Sequence, residues 1–167
     1  LREEPGNIAF RRALSSALRR RGRAREAAEL LGGPGSDATA WHERALAFWQ
    51  CVAAGVRDGE RALLVAEDEH GAIVGTVQLV LDQPENQPHR ADLAKMLVHR
   101  RARRQGLGAR LMRAAEELAR ECGKTLLVLD TVTGGDAERL YTRLGWQRVG
   151  VIPDYALWPQ GGLCATT

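Results

Sequence analysis

A basic, glycine-containing stretch in the middle of the chain has the residue types of an anion-binding loop. It contains four arginines and two glycines: Arg100, Arg101, Arg103, Arg104, Gly106 and Gly108. Glycine lacks a Cβ, so its backbone turns tightly and approaches a ligand closely. From Leu107 onward apolar residues recur at helical spacing, which predicts a helix beginning at the loop. The first amides of that helix have no internal partner, so amides and arginines together favour an anion, most naturally a pyrophosphate.

The order of residues in this loop excludes two common phosphate-binding motifs. It has neither the Gly-x-Gly-x-x-Gly of a dinucleotide fold nor the Gly-Lys-Ser/Thr of a P-loop. It resembles the Arg/Gln-x-x-Gly-x-Gly/Ala signature of the GNAT acetyltransferase superfamily, whose loop binds the pyrophosphate of acetyl-coenzyme A. The resemblance implies a set of cofactor-binding residues here: Arg103, Arg104, Gln105, Gly106, Leu107, Gly108 and Ala109.

A second motif follows in the family's order and at its usual separation. Residues 125–132 are predicted to form a buried strand, and Ala137 to Trp146 look like the family's Ala-x-x-Leu-Tyr-x-x-x-Gly-aromatic helix. Residues 127–134, followed by residues 149–157, also resemble small-molecule acetyltransferases of the tabtoxin-resistance type. Similarity runs from about Ala45 to the last residue.

The resemblance implies both a fold and an activity. The fold class is α/β (α+β), with a mixed, mostly antiparallel central sheet, splayed central strands and flanking helices. The activity is acetyl-CoA-dependent N-acetylation of a small-molecule amine such as an antibiotic or toxin. The cofactor's pantetheine arm would bond backbone groups of Leu97 and Val98, whose amides would also stabilise an oxyanion. Many relatives have an asparagine shortly before the tyrosine helix, where this chain has Thr133 as the candidate cofactor contact.

Acetyl transfer to an amine requires a base and an acid. An alkyl amine near pKa 10.4 is protonated at pH 7, and removing its proton costs about 4.6 kcal/mol. Asp130 is the preferred base because it adjoins the gap where the thioester would lie, with Asp92 or a water as alternatives. Asp130 has an equally weighted alternative role in capping the turn after it. By motif position Tyr141 is the acid for the departing thiolate, and a packing role is its alternative.

Four side chains are candidates for binding the acceptor: Trp49, Asp92, Asp130 and Tyr155. Trp49 falls on the apolar face of a helix predicted over about residues 39–57, and its spacing favours a place in the core over one in a pocket. Tyr155 falls in a loop predicted over residues 153–162. This loop would join strands at about 147–152 and 163–167.

Strands are predicted at residues 62–66, 73–81 and 91–98, and the loop helix at 106–122. Before residue 40 the pattern is weaker, with a short strand near Ile8 and a helix from about Ser15 to Leu31. Seven arginines lie between Arg11 and Arg25. A solvated helix face is the simpler interpretation of this segment, and a nucleic-acid-binding arm is the other.

Composition limits the remaining classes. A chain of 167 residues with 44% hydrophobic content predicts one domain, and a net charge of +3 gives little reason to expect nucleic acid. Its 3 cysteines have no paired spacing, and the histidines show no ligand spacing, so we expect free thiols, no metal and a cytoplasmic location. No apolar run is long enough for a membrane span. The start without methionine and the end inside a predicted strand suggest a fragment of a longer product.

The sequence leaves three functions from different classes. The first is an N-acetyltransferase for a small amine, the second an idle acyl-CoA-binding regulatory module. The third is a nucleic-acid-associated protein acting through the arginine-rich segment, whose binding would fall steeply with salt. A second copy of the chain also remains open as a partner.

Overall fold

The computed structural model describes residues 9–12, 38–158 and 161–167. The predicted helix from Ser15 to Leu31 and most of the arginine-rich segment therefore lie outside the described residues. The chain divides into two compact units, a first unit over residues 1–128 and a second unit over residues 129–167.

The described elements are seven strands, three α-helices and one 3₁₀ turn. In chain order they are β1 (Ala9–Arg12), α1 (Ala38–Arg57), β2 (Arg61–Glu67), β3 (Ile73–Val80), β4 (Arg90–Val98), a 3₁₀ turn (Arg100–Ala102), α2 (Leu107–Glu121), β5 (Leu126–Val128), α3 (Asp136–Arg143), β6 (Ile152–Leu157) and β7 (Leu163–Thr166).

The first unit is built on a five-stranded sheet in the order β1-β2-β3-β4-β5. Its first three pairings are antiparallel, whereas β4 and β5 run parallel. The parallel pairing covers Arg90 to Asp92 only, and β4 continues to Val98. This is the predicted mixed, mostly antiparallel sheet flanked by helices, and the fold class is confirmed.

Two helices cover the two faces of this sheet. The apolar stripe of α1 packs on Leu63 and Val65 of β2. Trp49, which belongs to this stripe, is fully buried. On the other face α2 packs on β3, where the side chains of Leu107 and Leu111 lie against Gly75. The buried positions of α2 recur every three or four residues, as expected for a helix with one face on a sheet.

Two predicted strands differ from those observed. The strand expected over residues 125–132 spans only Leu126–Val128, and it is not buried, since Leu126 is 45% exposed. An apolar run of this kind predicts a core strand, but this one pairs over three residues at the edge of the sheet.

In the second unit, β6 begins at Ile152 rather than near residue 147, so Tyr155 lies in a strand and not in a loop. Val149 and Val151 alternate as strand residues do, but they are 96% and 43% exposed. Because these side chains are not buried against a core, packing does not hold that segment in a sheet.

Replacement of Gly75 tests the contact between α2 and the sheet. A Cβ there would lie 2.9 Å from Leu111 Cδ1 and 3.3 Å from the Leu97 carbonyl oxygen. Leu111 is fully buried and cannot move aside freely. We expect Gly75→Ala to lower the free energy of unfolding by about 1–3 kcal/mol, measured by denaturant titration.

Gly150→Ala is the matched control, because a Cβ at Gly150 meets nothing within 4 Å. If both variants unfold at the wild-type denaturant concentration, α2 does not pack on β3 as closely as described.

Candidate active site

A bulge in β4 shapes the backbone just before the loop. The register of β3 and β4 shifts between Thr76 and Gln78, and Lys95 on the opposite strand has a left-handed φ of 49°. The buried Thr76 hydroxyl donates a 3.0 Å hydrogen bond to the Lys95 carbonyl oxygen, which holds the bulge in place. Bulges bend a strand and redirect its groups. Leu97 and Val98, the predicted pantetheine contacts, follow it directly, opposite Thr76 and Gly75.

The bulge leaves no signal in the sequence. Lysine is not a residue that favours positive φ, so its type carries no signal for a left-handed position. The Lys95 ammonium lies 5.3 Å from the centre of the Phe48 ring of α1, so the side chain is held at the helix. That contact joins residues far apart in sequence.

The loop after β4 is tightly turned and ends in a helix start. Arg104 and Gly106 both have left-handed backbones, with φ of 60° and 75°. The amide of Arg110 donates a 3.1 Å hydrogen bond to the Gly106 carbonyl, and this bond begins the internal bonding of α2. The amides of Leu107, Gly108 and Ala109 precede it in the first helical turn, at the positive end of the helix dipole.

The arginines of the loop differ in what they contact. Arg101 pairs with Asp68 at 2.7 Å, so its charge is already partly balanced. Arg103 donates from Nε to the Val98 carbonyl oxygen at 3.0 Å, which lays its guanidinium over the end of β4. Arg100, Arg103 and Arg104 are all exposed.

The loop contains the donors that a pyrophosphate requires. First-turn amides, a glycine with positive φ and exposed guanidinium groups are the groups that bind phosphate oxygens. The side chain of Gln105 is engaged internally, donating to the Arg101 carbonyl oxygen at 3.1 Å. Gln105 therefore stiffens the loop and leaves its amides to face a ligand.

Trp49 lies in the core and not at a surface. Its side chain is 0% exposed, within the cluster that α1 forms with β2. Within the described residues its Nε1 has no hydrogen-bond partner. The placement agrees with the core alternative drawn from its apolar spacing.

Asp92 lies on β4 in a small polar network that sequence reasoning does not anticipate. Its Oδ2 is 3.3 Å from Arg90 Nη2 and 3.4 Å from Gln83 Nε2. Arg90 in turn donates to the Gln83 carbonyl oxygen Oε1. The carboxylate is 40% exposed, so it remains accessible to a ligand.

Asp130 and Tyr141 interact within the second unit. Asp130 is exposed, and its Oδ2 lies 3.1 Å from the hydroxyl of the buried Thr166. Tyr141 is buried on α3, with its ring 6.2 Å from that of Trp146. Burial, followed by the negative charge of Asp130, raises the pKa of the Tyr141 phenol above its usual value. The buried phenol is therefore a weaker acid than a solvent-exposed tyrosine.

The turn-capping alternative for Asp130 gains no contact from the described residues. The hydrogen bond at its carboxylate comes from the Thr166 side chain and not from an amide of the following turn. The same hydroxyl lies 2.8 Å from the Thr131 carbonyl oxygen. Thr166 thus anchors the segment at both residues, although its single proton serves one acceptor at a time.

Thr133 and Tyr155 are also placed in the second unit. The Thr133 hydroxyl lies 2.7 Å from that of Thr167, and the Thr133 amide donates to the Ala165 carbonyl at 3.1 Å. Thr133 is therefore tied to β7 rather than free. Tyr155 is 53% exposed on β6.

Metal-binding clusters and membrane-spanning helices are both absent from the part of the chain that the structure describes. It contains no group of three or more His, Cys, Asp or Glu side chains placed to bind a metal ion. None of its helices is long and apolar enough to cross a membrane.

Known proteins resemble this chain along most of its length. A model of the acetyltransferase (GNAT) family matches residues 25–146. The ribosomal-protein-alanine N-acetyltransferase of Brucella melitensis is 25% identical, with a TM-score of 0.70 and 95% of each chain covered. A GNAT-family acetyltransferase of Streptococcus pneumoniae is 24% identical, with a TM-score of 0.68 and 96% of each chain covered.

A third structure was determined with a cofactor. The yncA protein of Salmonella typhimurium, whose structure includes its cofactor acetyl-CoA, is 20% identical. Its TM-score is 0.69, with 96% of this chain and 90% of that chain covered.

The electrostatic coupling of Asp130 to Tyr141 is measurable because the chain has only 2 tyrosines. In a Tyr155→Phe background, the phenolate absorbance reports Tyr141 alone. Adding Asp130→Asn removes the negative charge that disfavours phenolate, so we expect the titration midpoint of Tyr141 to fall. Asp154→Asn makes the same change of charge elsewhere in the second unit and is the control. Equal midpoints for the Asp130 and Asp154 variants would contradict the coupling.

Proposed function

Because the chain belongs to the GNAT acetyltransferase family, we propose that it transfers an acetyl group from acetyl-CoA to the amine of a small molecule. The observation that carries this proposal is the loop at the start of α2, whose amides and exposed arginines suit a pyrophosphate. Transfer to nitrogen is further supported by the likeness to the Brucella melitensis N-acetyltransferase. A substrate of the antibiotic or toxin class follows from the sequence resemblance to the tabtoxin-resistance type.

Two parts of the first unit would hold acetyl-CoA. The loop residues 103–109 would bind the pyrophosphate through the amides of Leu107, Gly108 and Ala109 and the guanidinium groups of Arg103 and Arg104. Backbone groups of Leu97 and Val98, after the β4 bulge, would bond the pantetheine arm. When bound, acetyl-CoA supplies the acetyl thioester and leaves as a thiol. Thr133 is the weakest member of the predicted set, because its hydroxyl already contacts Thr167.

In the proposed mechanism Asp130 is the general base and Tyr141 is the general acid. Asp130 takes one proton from the acceptor's ammonium group, directly or through a water, and the neutral amine attacks the thioester carbonyl. As the C–S bond breaks, Tyr141 gives its phenol proton to the departing sulfur, and the second proton that the nitrogen loses as the amide forms returns to the phenolate. Asp130 then releases its proton to solvent. While Asp130 is charged it raises the pKa of Tyr141. Protonation of Asp130 removes that charge, so the phenol becomes a stronger acid once the amine has been deprotonated.

Asp92 and Tyr155 are the side chains we propose for recognising the acceptor. Asp92 is a half-exposed carboxylate that would attract a cationic amine, and its two polar neighbours fix its orientation. Tyr155 presents an exposed ring. Asp92 is also the second choice for the base, since it too can accept a proton.

The activity is tested by two measurements on the whole chain. Acetyl-CoA should raise the thermal midpoint, because a ligand that binds only the folded state stabilises it by about 2.7 kcal/mol at a hundred times its Kd. A panel of small amines should then include acceptors that release free thiol from acetyl-CoA. Stabilisation without thiol release for any amine would favour the idle acyl-CoA-binding module. No stabilisation at millimolar acetyl-CoA would contradict both functions.

Tyr141→Phe tests the proposed acid. The variant keeps the ring next to Trp146 and removes only the hydroxyl, so the fold and the affinity for acetyl-CoA should survive. General acid catalysis contributes about 10²–10⁴-fold, so kcat for the best acceptor should fall within that range while the KM for acetyl-CoA changes little. A packing role predicts the reverse pattern, a lower thermal midpoint with kcat within a few-fold of wild type. Thr142→Val is the matched control, because it removes a hydroxyl from the neighbouring, exposed position of α3, where that hydroxyl donates to the Glu138 carbonyl oxygen.

A further inference from the structure

We propose that Asp68, in the turn between β2 and β3, is a positioning residue that fixes the anion-binding loop through Arg101. The proposal rests on the proposed function, because that loop is the one assigned to acetyl-CoA. Asp68 itself is placed outside the loop, and nothing in the sequence motifs singles it out. Its contact with Arg101 joins residues 33 positions apart in the chain.

The two carboxylate oxygens of Asp68 have different partners. Oδ1 accepts hydrogen bonds from the amides of His70 at 3.0 Å and Ala72 at 2.9 Å, which close the turn. Oδ2 accepts from Arg101 Nη2 at 2.7 Å. One oxygen therefore builds the turn, and the other reaches the loop.

The turn is a firm base for this contact. The backbone of Asp68 exchanges hydrogen bonds with the turn, donating to the Ala72 carbonyl and accepting from the Gly71 amide, both at 2.9 Å. The amide bonds from Ala72 and His70, together with the charges of Arg101 and His70, lower the pKa of Asp68 despite desolvation. The carboxylate is thus ionised whenever the loop would meet its ligand at neutral pH.

Arg101 is held at its backbone as well as its side chain. Its amide donates to His99 Nδ1 at 3.2 Å, and its carbonyl oxygen accepts from Gln105 Nε2 at 3.1 Å. His99 is in turn bonded to the sheet, because its amide donates to the Val74 carbonyl oxygen of β3 at 2.8 Å. Arg101 therefore connects the turn to the loop: its side chain bonds Asp68, and its backbone bonds His99 and Gln105.

The position of the loop matters because its ligand contacts come from backbone amides. Arg104 and Gly106 both adopt left-handed conformations, and a loop without an anchor would sample others. Ordering a mobile loop on binding costs conformational entropy and so weakens the affinity for the ligand. A loop that is already ordered in the free protein does not lose this entropy on binding. An exposed ion pair adds little to global stability, so the effect should be seen in binding and not in unfolding.

Asp68→Asn separates positioning from electrostatics. Asparagine keeps an oxygen for the His70 and Ala72 amides, but it places an NH₂ group opposite Arg101, so only the link to the loop is lost. Removal of a negative charge near an anion site would by charge alone tighten binding. Loss of positioning would weaken it. The two interpretations therefore predict opposite signs.

We expect Asp68→Asn to raise the Kd for acetyl-CoA, measured by calorimetry on the whole chain, by about 2- to 30-fold, the range of couplings through residues that do not touch the ligand. The control is Glu69→Gln, which makes the same change of charge in the same turn, where Glu69 pairs with His70 and not with the loop. Its Kd should stay at the wild-type value or fall slightly. Wild-type or tighter binding by Asp68→Asn would overturn the proposal.

A ligand-free measurement separates this proposal from the proposed function. Amide hydrogen exchange of residues 99–109 should be faster in Asp68→Asn than in wild type, with exchange in the β2–β3 turn and the thermal midpoint unchanged. If wild type does not bind acetyl-CoA but this difference in exchange is observed, the proposed function fails and the positioning role stands. Equal exchange in both proteins would overturn the positioning role whether or not acetyl-CoA binds.

Discussion

The start of an α-helix leaves backbone amides without internal partners, and the first unit is built to present one such helix start. Leu107, fully buried at the first position of α2, fixes the helix to the sheet at the point where the free amides begin. Gly75 on β3 permits the helix to lie close to the sheet. The left-handed Gly106 turns the chain into the helix without a strained side chain. The proposed anion site is thus a consequence of core packing on one side and of backbone geometry on the other.

The strand that leads into this loop carries its own irregularity. Beyond Asp92 β4 pairs with β3 but not with β5, so alternate residues of this stretch direct their amides and carbonyls away from the ladder, where they are available to a ligand. The bulge at Lys95 breaks that pattern just before Leu97 and Val98. Thr76 holds the bulge through its hydroxyl, which explains why a polar side chain is buried on β3 among apolar neighbours. The buried Thr76 therefore stabilises the backbone of β4 through this hydrogen bond.

The anion-binding loop and the tyrosine helix can be predicted from the sequence because each is a contiguous motif with fixed spacing. The loop helix is predicted at 106–122 and observed at Leu107–Glu121. The link between Asp68 and Arg101, the network of Gln83, Arg90 and Asp92 and the Lys95 bulge cannot be predicted in this way. Each depends on which segments become neighbours in the fold, and the local residue types do not indicate which segments those are. The predicted length and burial of β5 are wrong for a related reason, since apolar composition does not distinguish a core strand from a short edge strand.

In the second unit the proposed acid–base chemistry depends on residues of β7 and its end that we assign no catalytic role. Thr166 of β7 holds Asp130 through its side chain, and Thr167 exchanges backbone hydrogen bonds with Thr131 at 2.8 and 3.1 Å. Asp130 acts on Tyr141 through its charge, so the pKa of the phenol depends on where β7 holds the carboxylate. Coulomb energy falls with distance, and a carboxylate free to swing into solvent would lose much of that effect. The pKa of the proposed acid is therefore raised first by its burial on α3 and then by a charge that Thr166 and Thr167 help to place, although both lie outside the motif that contains Tyr141.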